Sequence, residues 1–174
     1  MNNKSIEVPL RKRHNYAYGM VLGVEDFQQE YAYLQNRMKF LCRMLIGRGT
    51  VSGLQVSSDE EGESILVNAG VAVDSQGNEI CLSAGIRCPL PTEGDTAYLT
   101  LSWAERDTDF IPFPGSQEDD RHTVASSVEE YAILTYEAQP TDPTHSGIIL
   151  ARLKKRGGKW NIDKKFRRRS AKLK

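Results

Sequence analysis

The stretch that decides the fold is GVEDFQQEYAYLQNRMKFLCRMLI, residues 23–46. After its first residue it contains no glycine or proline, and β-branched residues are few, so nothing in it opposes a helix. Apolar side chains recur at alternating spacings of four and three residues, the pattern of a heptad repeat kept over about three heptads. We call these six positions the heptad stripe: Phe27, Tyr31, Leu34, Met38, Leu41 and Leu45.

Both ends of the predicted helix, residues 24–47, are marked in the sequence. Gly23 is a suitable N-cap, and Asp26 places a carboxylate near the free amides of the first turn. Gly47 and Gly49 are suited to end the helix. Three further apolar residues lie off the heptad stripe, so we expect the helix to be covered on more than one side. They are Tyr33, Phe40 and Met44.

Two explanations of the heptad stripe remain open at this stage. It is either the contact surface for another copy of the chain, or the face that packs on the chain's own sheet. The apolar, aromatic residues 16–22 precede the helix and are suited to cover another of its sides.

Charge is distributed unevenly, although the formal net charge is zero. Residues 152–174 carry twelve Lys or Arg and one Asp, a net of +11, and residues 1–13 carry four basic side chains and one Glu, a net of +3. Residues 14–151 hold seven basic and twenty-one acidic side chains, a net of −14. Basic ends therefore flank an acidic body.

The length of 174 residues suits one well-buried domain, or one domain with arms. No apolar run is long enough to span a membrane, and the first residues lack the apolar core of a signal peptide. The three cysteines have no metal-ligand spacing, which favours synthesis in the cytoplasm with reduced thiols.

After the helix, short apolar runs alternate with turn signals, which predicts about seven short antiparallel strands. The predicted fold class is α+β: one N-terminal amphipathic helix packed with an antiparallel β-sandwich or open barrel. Residues 129–137 are apolar on both faces, which predicts a central strand. The predicted segments are an extended arm (1–23), the helix (24–47), a β-domain (48–163) and a basic tail (164–174).

Residues 107–123 form a polar stretch that we predict to be a surface excursion. It holds Phe110, Ile111 and Phe113 between prolines. Exposed aromatic side chains of this kind suit a ligand or carbohydrate contact, so a stand-alone binding module is the alternative function.

The sequence lacks the motifs that mark catalytic or cofactor sites, among them GxSxG, HExxH, CxxC and the phosphate-binding loop. Asp119, Asp120 and His122 are metal-ligand residue types, but they are crowded on a predicted loop without the spacing that fixes a coordination geometry. We therefore predict no catalytic, cofactor-binding or metal-binding residue and no enzyme activity. An unrecognised pair of carboxylates is the enzymatic alternative.

The basic tail holds seven Lys or Arg in eleven residues, and three roles are open for it. It is a solvated segment, a segment that docks on an acidic protein surface such as another copy's acidic body, or a nucleic-acid contact. Nucleic acid is the least favoured partner, because Trp160 and Phe166 are the only aromatic residues near the basic side chains.

Three stretches together resemble small proteins encoded with contractile injection systems, the phage-tail-like particles of bacteria. They are YGMVLGVEDFQQE (18–30), GTVSGLQV (49–56) and GVAVDSQGNEI (70–80). The third stretch is also similar to a hairpin of phage baseplate and tail-fibre proteins. The likeness covers residues 16–163, with Arg48 standing where the family pattern has Trp.

The resemblance implies a non-enzymatic structural or assembly component of such a particle, at the baseplate or a tail fibre. The expected partners are other tail or baseplate-like proteins, and a homotrimer is expected because tail fibres and spikes of these families commonly are trimeric. The implied location is a particle, released or membrane-associated, that assembles after synthesis in the cytoplasm. The predicted interaction residues are Tyr18, the heptad stripe, Lys164, Arg167, Arg168 and Arg169.

Overall fold

The computed structural model describes residues 11–112, 123–140 and 146–172. In this part of the chain, one helix precedes ten strands that pair antiparallel, in three sheets. The predicted α+β class is confirmed, with ten strands in place of about seven. The elements are α1 Val24–Leu41, β1 Gly49–Gly53, β2 Val56–Ser58, β3 Ser64–Val67, β4 Gly70–Val73, β5 Glu79–Leu82, β6 Ile86–Pro89, β7 Thr96–Pro112, β8 Thr123–Glu137, β9 Ile148–Arg156 and β10 Lys159–Ile162.

Helix α1 begins directly after Gly23, and its helical continuation ends at Gly47, the two positions that the sequence marks. The Gly23 amide donates to the Asp26 carboxylate over 2.8 Å, and the Asp26 amide donates to the Gly23 carbonyl over 3.2 Å. A π-helical turn, Cys42–Ile46, continues α1. Gly47 then takes a left-handed φ of 76° while its amide donates to the Cys42 carbonyl, which stops the helix.

The three sheets surround one apolar core. Their strand orders are β1-β4-β5, β2-β3-β6 and β10-β9-β7-β8. Leu99 and Leu101 of β7 and Leu153 of β9 are fully buried at the centre. No residue of α1 is buried, so the helix takes no part in this core.

Strands β4 and β5 form a hairpin whose turn lies within residues 70–80, the stretch that is similar to a hairpin of phage baseplate proteins. The Asp74 carboxylate is almost fully buried and accepts the amides of Gln76 and Asn78 over 2.8 and 2.9 Å. Asn78 also donates its side-chain amide to Asp74 over 2.7 Å. One carboxylate therefore satisfies three donors and fixes the turn.

The prediction that residues 129–137 form a central strand is wrong, because β8 lies at the edge of the four-stranded sheet. Its inner face packs on the core through Leu134 and Tyr136. Apolar residues of its outer face are half-buried, and the Arg106 guanidinium lies 5.0 Å from the Tyr131 ring centroid. Because each face is partly covered, this edge strand can carry apolar residues on both of them.

Strands β7 and β8 run further than the sequence predicts. β9 pairs with β7 as far as Leu101, whereas β8 pairs with β7 as far as Pro112. We call residues 104–112 and 123–131 the distal ribbon. Phe113, Asp119, Asp120 and His122, from the predicted surface excursion, lie outside the described residues.

Candidate protein-interaction surface

Helix α1 meets the β-domain near its C-terminal end. The Lys39 ammonium lies 4.9 Å from the centroid of the Trp103 ring. Gly77, in the β4–β5 turn, approaches the helix so closely that an added Cβ would lie 2.1 Å from the Lys39 carbonyl oxygen. The turn therefore packs directly on the helix backbone, which a side chain at this position would prevent.

The heptad stripe is exposed along the helix and the π-helical turn. Tyr31, Met38 and Leu45 expose 62%, 63% and 52% of their surface. The remaining members are exposed as well: Phe27, Leu34 and Leu41. The sheets therefore do not cover the stripe, and of its two explanations, packing on the chain's own sheet is not what the structure shows. Exposed apolar surface on this scale is typical of protein interaction sites.

The arm before the helix folds back along α1 without covering the stripe. The Tyr16 hydroxyl donates to the Glu30 carboxylate, and this bond raises the pKa of Tyr16. His14 Nε2 lies 2.9 Å from Gln29 Oε1. In both contacts the arm binds a polar side chain of α1, so this part of the arm lies on a polar side of the helix. Tyr18, at the turn of the arm, is fully exposed.

The off-stripe residues are partly covered. Phe40 lies under the Arg11 guanidinium, which is 5.1 Å from its ring centroid, yet 40% of Phe40 remains exposed. Met44 is half-exposed. The helix therefore presents apolar surface on more than one side, and the expected cover on more than one side is not found among the described residues of the monomer.

The basic segment 164–172 lies along the β-domain, and we call it the strap. The Thr50 amide donates to the Arg169 carbonyl over 3.0 Å, and the Ala171 amide donates to the Thr50 carbonyl over 2.9 Å. These bonds form a parallel bridge between Thr50 and Ser170, so the strap adds a short partner to the free edge of β1.

Side chains of the strap also bind the β-domain. Phe166 packs edge-on against Tyr98, with ring centroids 6.3 Å apart. Arg168 donates to the Leu54 carbonyl, so this predicted interaction residue is engaged within its own fold. The other three predicted basic residues are exposed: Lys164, Arg167 and Arg169.

The strap reaches the point where α1 leads into β1. Arg48, between the helix and the strand, donates to the Gly147 carbonyl. Burial lowers the pKa of the Arg48 guanidinium, and the charge of Arg169 lowers it further. The two groups of predicted interaction residues, helix and basic segment, thus approach each other at this junction.

Asp163 anchors the beginning of the strap. Its carboxylate accepts the Lys165 amide over 2.9 Å and lies 2.6 Å from Arg152 Nη2 and 3.2 Å from Lys154 Nζ. The Lys165 amide and the two cations lower the pKa of Asp163 to about 2. The carboxylate is therefore charged at neutral pH and ties the strap to β9.

Comparisons with known proteins find similarity in structure rather than in sequence. No protein-family model and no curated protein matches the sequence. One similar structure is the TssK-TssF-TssG baseplate subcomplex of the type VI secretion system, with 15% identity, a TM-score of 0.57, and cover of 90% of this chain and 61% of that chain. A crystal structure of TssK has 18% identity, a TM-score of 0.55, and cover of 87% and 40%.

A further structure, TssK from the EAEC type VI secretion system bound to a nanobody, has 16% identity and a TM-score of 0.51, with cover of 82% and 54%. The chain shares its fold with part of TssK. It spans 40–61% of the length of these chains. The resemblance to baseplate proteins of contractile injection systems is thus confirmed at the level of the TssK fold.

Two further kinds of feature, a cluster of metal ligands and a membrane-spanning helix, are absent from the described residues of this TssK-like fold. Within those residues, no three His, Cys, Asp or Glu side chains gather as metal ligands would. In that part of the chain no helix combines the length and the apolar character needed to cross a membrane.

Sequence reasoning missed three exposed carboxylates of the TssK-like fold, Glu105, Asp107 and Glu130, which lie on the distal ribbon. The alternation of residues 97–103, continued along β7, would have placed Glu105 and Asp107 on one face, because side chains two residues apart share a face of a strand. The prolines that follow in the sequence concealed this continuation. The alternation gives no signal for Glu130, which lies on β8 and stands opposite Glu105 only through the strand register.

Proposed function

We propose that this protein is a non-enzymatic structural subunit of a phage-tail-like contractile particle, with baseplate-like proteins as its partners. It assembles through the N-terminal arm and α1. The exposed heptad stripe carries this proposal, because the monomer leaves unburied the residues that a helical assembly would bury. The shared fold of TssK, a protein whose structures include a type VI secretion baseplate complex, supports the same role.

The free energy available from the heptad stripe is comparable to the cost of association. Burying one fully exposed Leu-sized side chain contributes about 1.5–3 kcal/mol. The six side chains expose 41–63% of their surface, so each contributes about half of this value, against a cost of association of about 4–15 kcal/mol. We propose a homotrimer, because the resemblance implies this state for tail fibres and spikes and a heptad stripe is suited to bundles of helices.

Sedimentation velocity of the purified chain at micromolar concentration tests the assembly. Leu34→Glu places a charge on the heptad stripe and keeps a good helix former, so we expect monomers where the wild-type chain forms trimers. Asn36→Glu is the matched control, because Asn36 is exposed on the same helix two residues away and off the stripe. A wild-type chain that is strictly monomeric would refute the proposal, as would a Leu34→Glu variant that remains trimeric.

Membership of a particle is tested separately. The chain should copurify with intact contractile particles from its native cells, and the Leu34→Glu variant should be depleted from them. Absence of the wild-type chain from purified particles would refute the particle role even if the trimer forms.

A further inference from the structure

The distal ribbon is a two-stranded extension that the rest of the fold supports little. Beyond Leu101, β7 pairs with β8 alone, and among the described residues no strand pairs with the outer edge of either strand. Isolated two-stranded ribbons are marginally stable, and free strand edges and faces are available for further contacts. The ribbon is therefore a candidate docking element.

The two faces of the distal ribbon differ in how their charges are balanced. On one face, Arg106 Nε donates to Glu129 over 2.8 Å. On the other, Glu105 stands directly opposite Glu130 in the strand register, and Asp107 is the next residue of β7 on that face. Among the described residues these three carboxylates have no cationic partner. Like charges directly opposite each other destabilise a strand pair, so cations from outside would stabilise this face.

A basic cleft of the complementary charge lies on β9, β10 and the beginning of the strap. It has a volume of about 610 Å³. Arg152 and Lys154 in its lining are already paired with Asp163. Its three other cations form no ion pair among the described residues: Arg156, Lys164 and Lys165. Three cations of the cleft thus match three carboxylates of the ribbon, neither set being ion-paired within the part of the chain that the structure describes.

The ribbon and the cleft cannot meet within one chain. Lys154 pairs with Thr96 at the beginning of β7, and Arg156 lies further from the ribbon still. Glu105 lies nine residues beyond Thr96 along the same strand. At about 3.3 Å per residue this is a separation of about 30 Å. Any contact between the two surfaces must therefore join two copies.

We infer that the carboxylate face of the distal ribbon of one copy docks in the basic cleft of a second copy. The two surfaces differ, so the contact is heterologous and either closes a ring or extends an array. It uses neither the heptad stripe nor the arm, so it is independent of the trimer proposed above. Because both surfaces are solvent-exposed and charged, the contact weakens as salt rises.

Charge reversal on the ribbon gives the first test. We expect Glu105→Lys/Asp107→Lys/Glu130→Lys to weaken the salt-sensitive part of self-association about tenfold at low salt, about 50 mM. Sedimentation velocity across a salt series measures this effect. The matched control changes the net charge equally in the exposed β2–β3 turn, by substituting Glu60→Lys/Glu61→Lys/Glu63→Lys, and it should leave the association unchanged.

Charge reversal in the basic cleft gives the second test. Arg156→Glu/Lys164→Glu/Lys165→Glu should weaken association to the same extent, and the chain carrying both reversals should regain it, because a basic ribbon then meets an acidic cleft. Mixing the ribbon variant with the cleft variant should likewise restore association. Circular dichroism verifies that each variant is folded.

Three results would overturn the inference: wild-type association that does not respond to salt, triple reversals without effect, or a combined variant that stays as weak as either parent. An equal loss in the Glu60→Lys/Glu61→Lys/Glu63→Lys control would also do so. The ribbon–cleft contact can be distinguished from the heptad-stripe trimer. If the trimer does not form but the contact does, the ribbon variant and the cleft variant still associate when they are mixed.

Discussion

Leu99 and Leu34 are the same residue type in two regions with opposite outcomes. Leu99 of β7 is fully buried, whereas Leu34 of α1 exposes 56% of its surface. The three sheets bury the apolar side chains at their centre, while the helix keeps a long apolar stripe in solvent. A hydrophobic pattern therefore shows which side chains are suited to burial. It does not show whether the monomer itself buries them.

The largest expected difference comes from truncating both leucines. Leu99→Ala should lower the free energy of unfolding by about 2–5 kcal/mol, because it removes buried contacts and leaves a cavity. Leu34→Ala should change it by less than about 0.5 kcal/mol in the monomer, since the side chain is exposed and Ala favours a helix. Urea unfolding of dilute protein measures both values.

The same pair of substitutions can also show that the helix and the β-domain do not differ in this way. A loss above about 2 kcal/mol for Leu34→Ala in monomeric protein would mean that the heptad stripe itself packs on the β-domain in solution. In that case the heptad stripe would be part of one core, and the argument for assembly through it would fail.

A substitution at Gly49 tests how much the strap, which is distant in sequence, stabilises the edge of the β-domain at β1. Gly49 has a φ of 143°, and a Cβ there would lie 2.5 Å from the Ala171 amide nitrogen. Gly49→Ala should displace the strap, cost about 2–3 kcal/mol of stability, and speed tryptic cleavage within residues 164–172. Gly62→Ala is the control, because Gly62 also has a positive φ but has open space around it, and we expect a cost of about 1 kcal/mol. Equal costs and unchanged cleavage would show that the strap contributes little.

The smallest expected effect is the pH dependence from Asp163. Its pKa is lowered from 3.8 to about 2 in the fold, so the charged carboxylate stabilises the folded state. This contribution is fully present above the unfolded pKa and is lost as the pH falls through about 2. Asp163→Asn should therefore be less stable than wild type at pH 7, with the difference shrinking in acid.

Urea unfolding midpoints from neutral to acidic pH measure that difference. Glu60→Gln, in the exposed β2–β3 turn, controls for the loss of one carboxylate. A constant gap between Asp163→Asn and wild type across the series would contradict the assignment of the stabilisation to charge.

Local sequence patterns were sufficient to predict the elements that are held by interactions between residues close in sequence. The caps at Gly23 and Gly47 and the turn at Asp74–Asn78 follow from hydrogen bonds between residues close in sequence. The helix follows from its 3.6-residue period, and the first half of β7 from its strict alternation. These features specify the α+β class before any tertiary contact is known.

The features that the sequence did not predict depend on contacts between distant residues. The strap pairs Thr50 with Ser170, and no local signal announces a partner so far along the chain. Its basic composition also concealed Phe166, which packs on Tyr98. The edge position of β8 follows from the order of strands in the sheet, which alternation along one strand does not determine.

The parallel bridge of the strap has a mechanical consequence for the proposed role in a contractile particle. β1 receives the chain from α1 and is held on one side by β4 and on the other by the strap. A pull on the helix that is directed along β1 would load the hydrogen bonds on both sides together, in shear, instead of opening them one at a time. The strap thus shares any tension that enters the β-domain through Gly47 and Arg48.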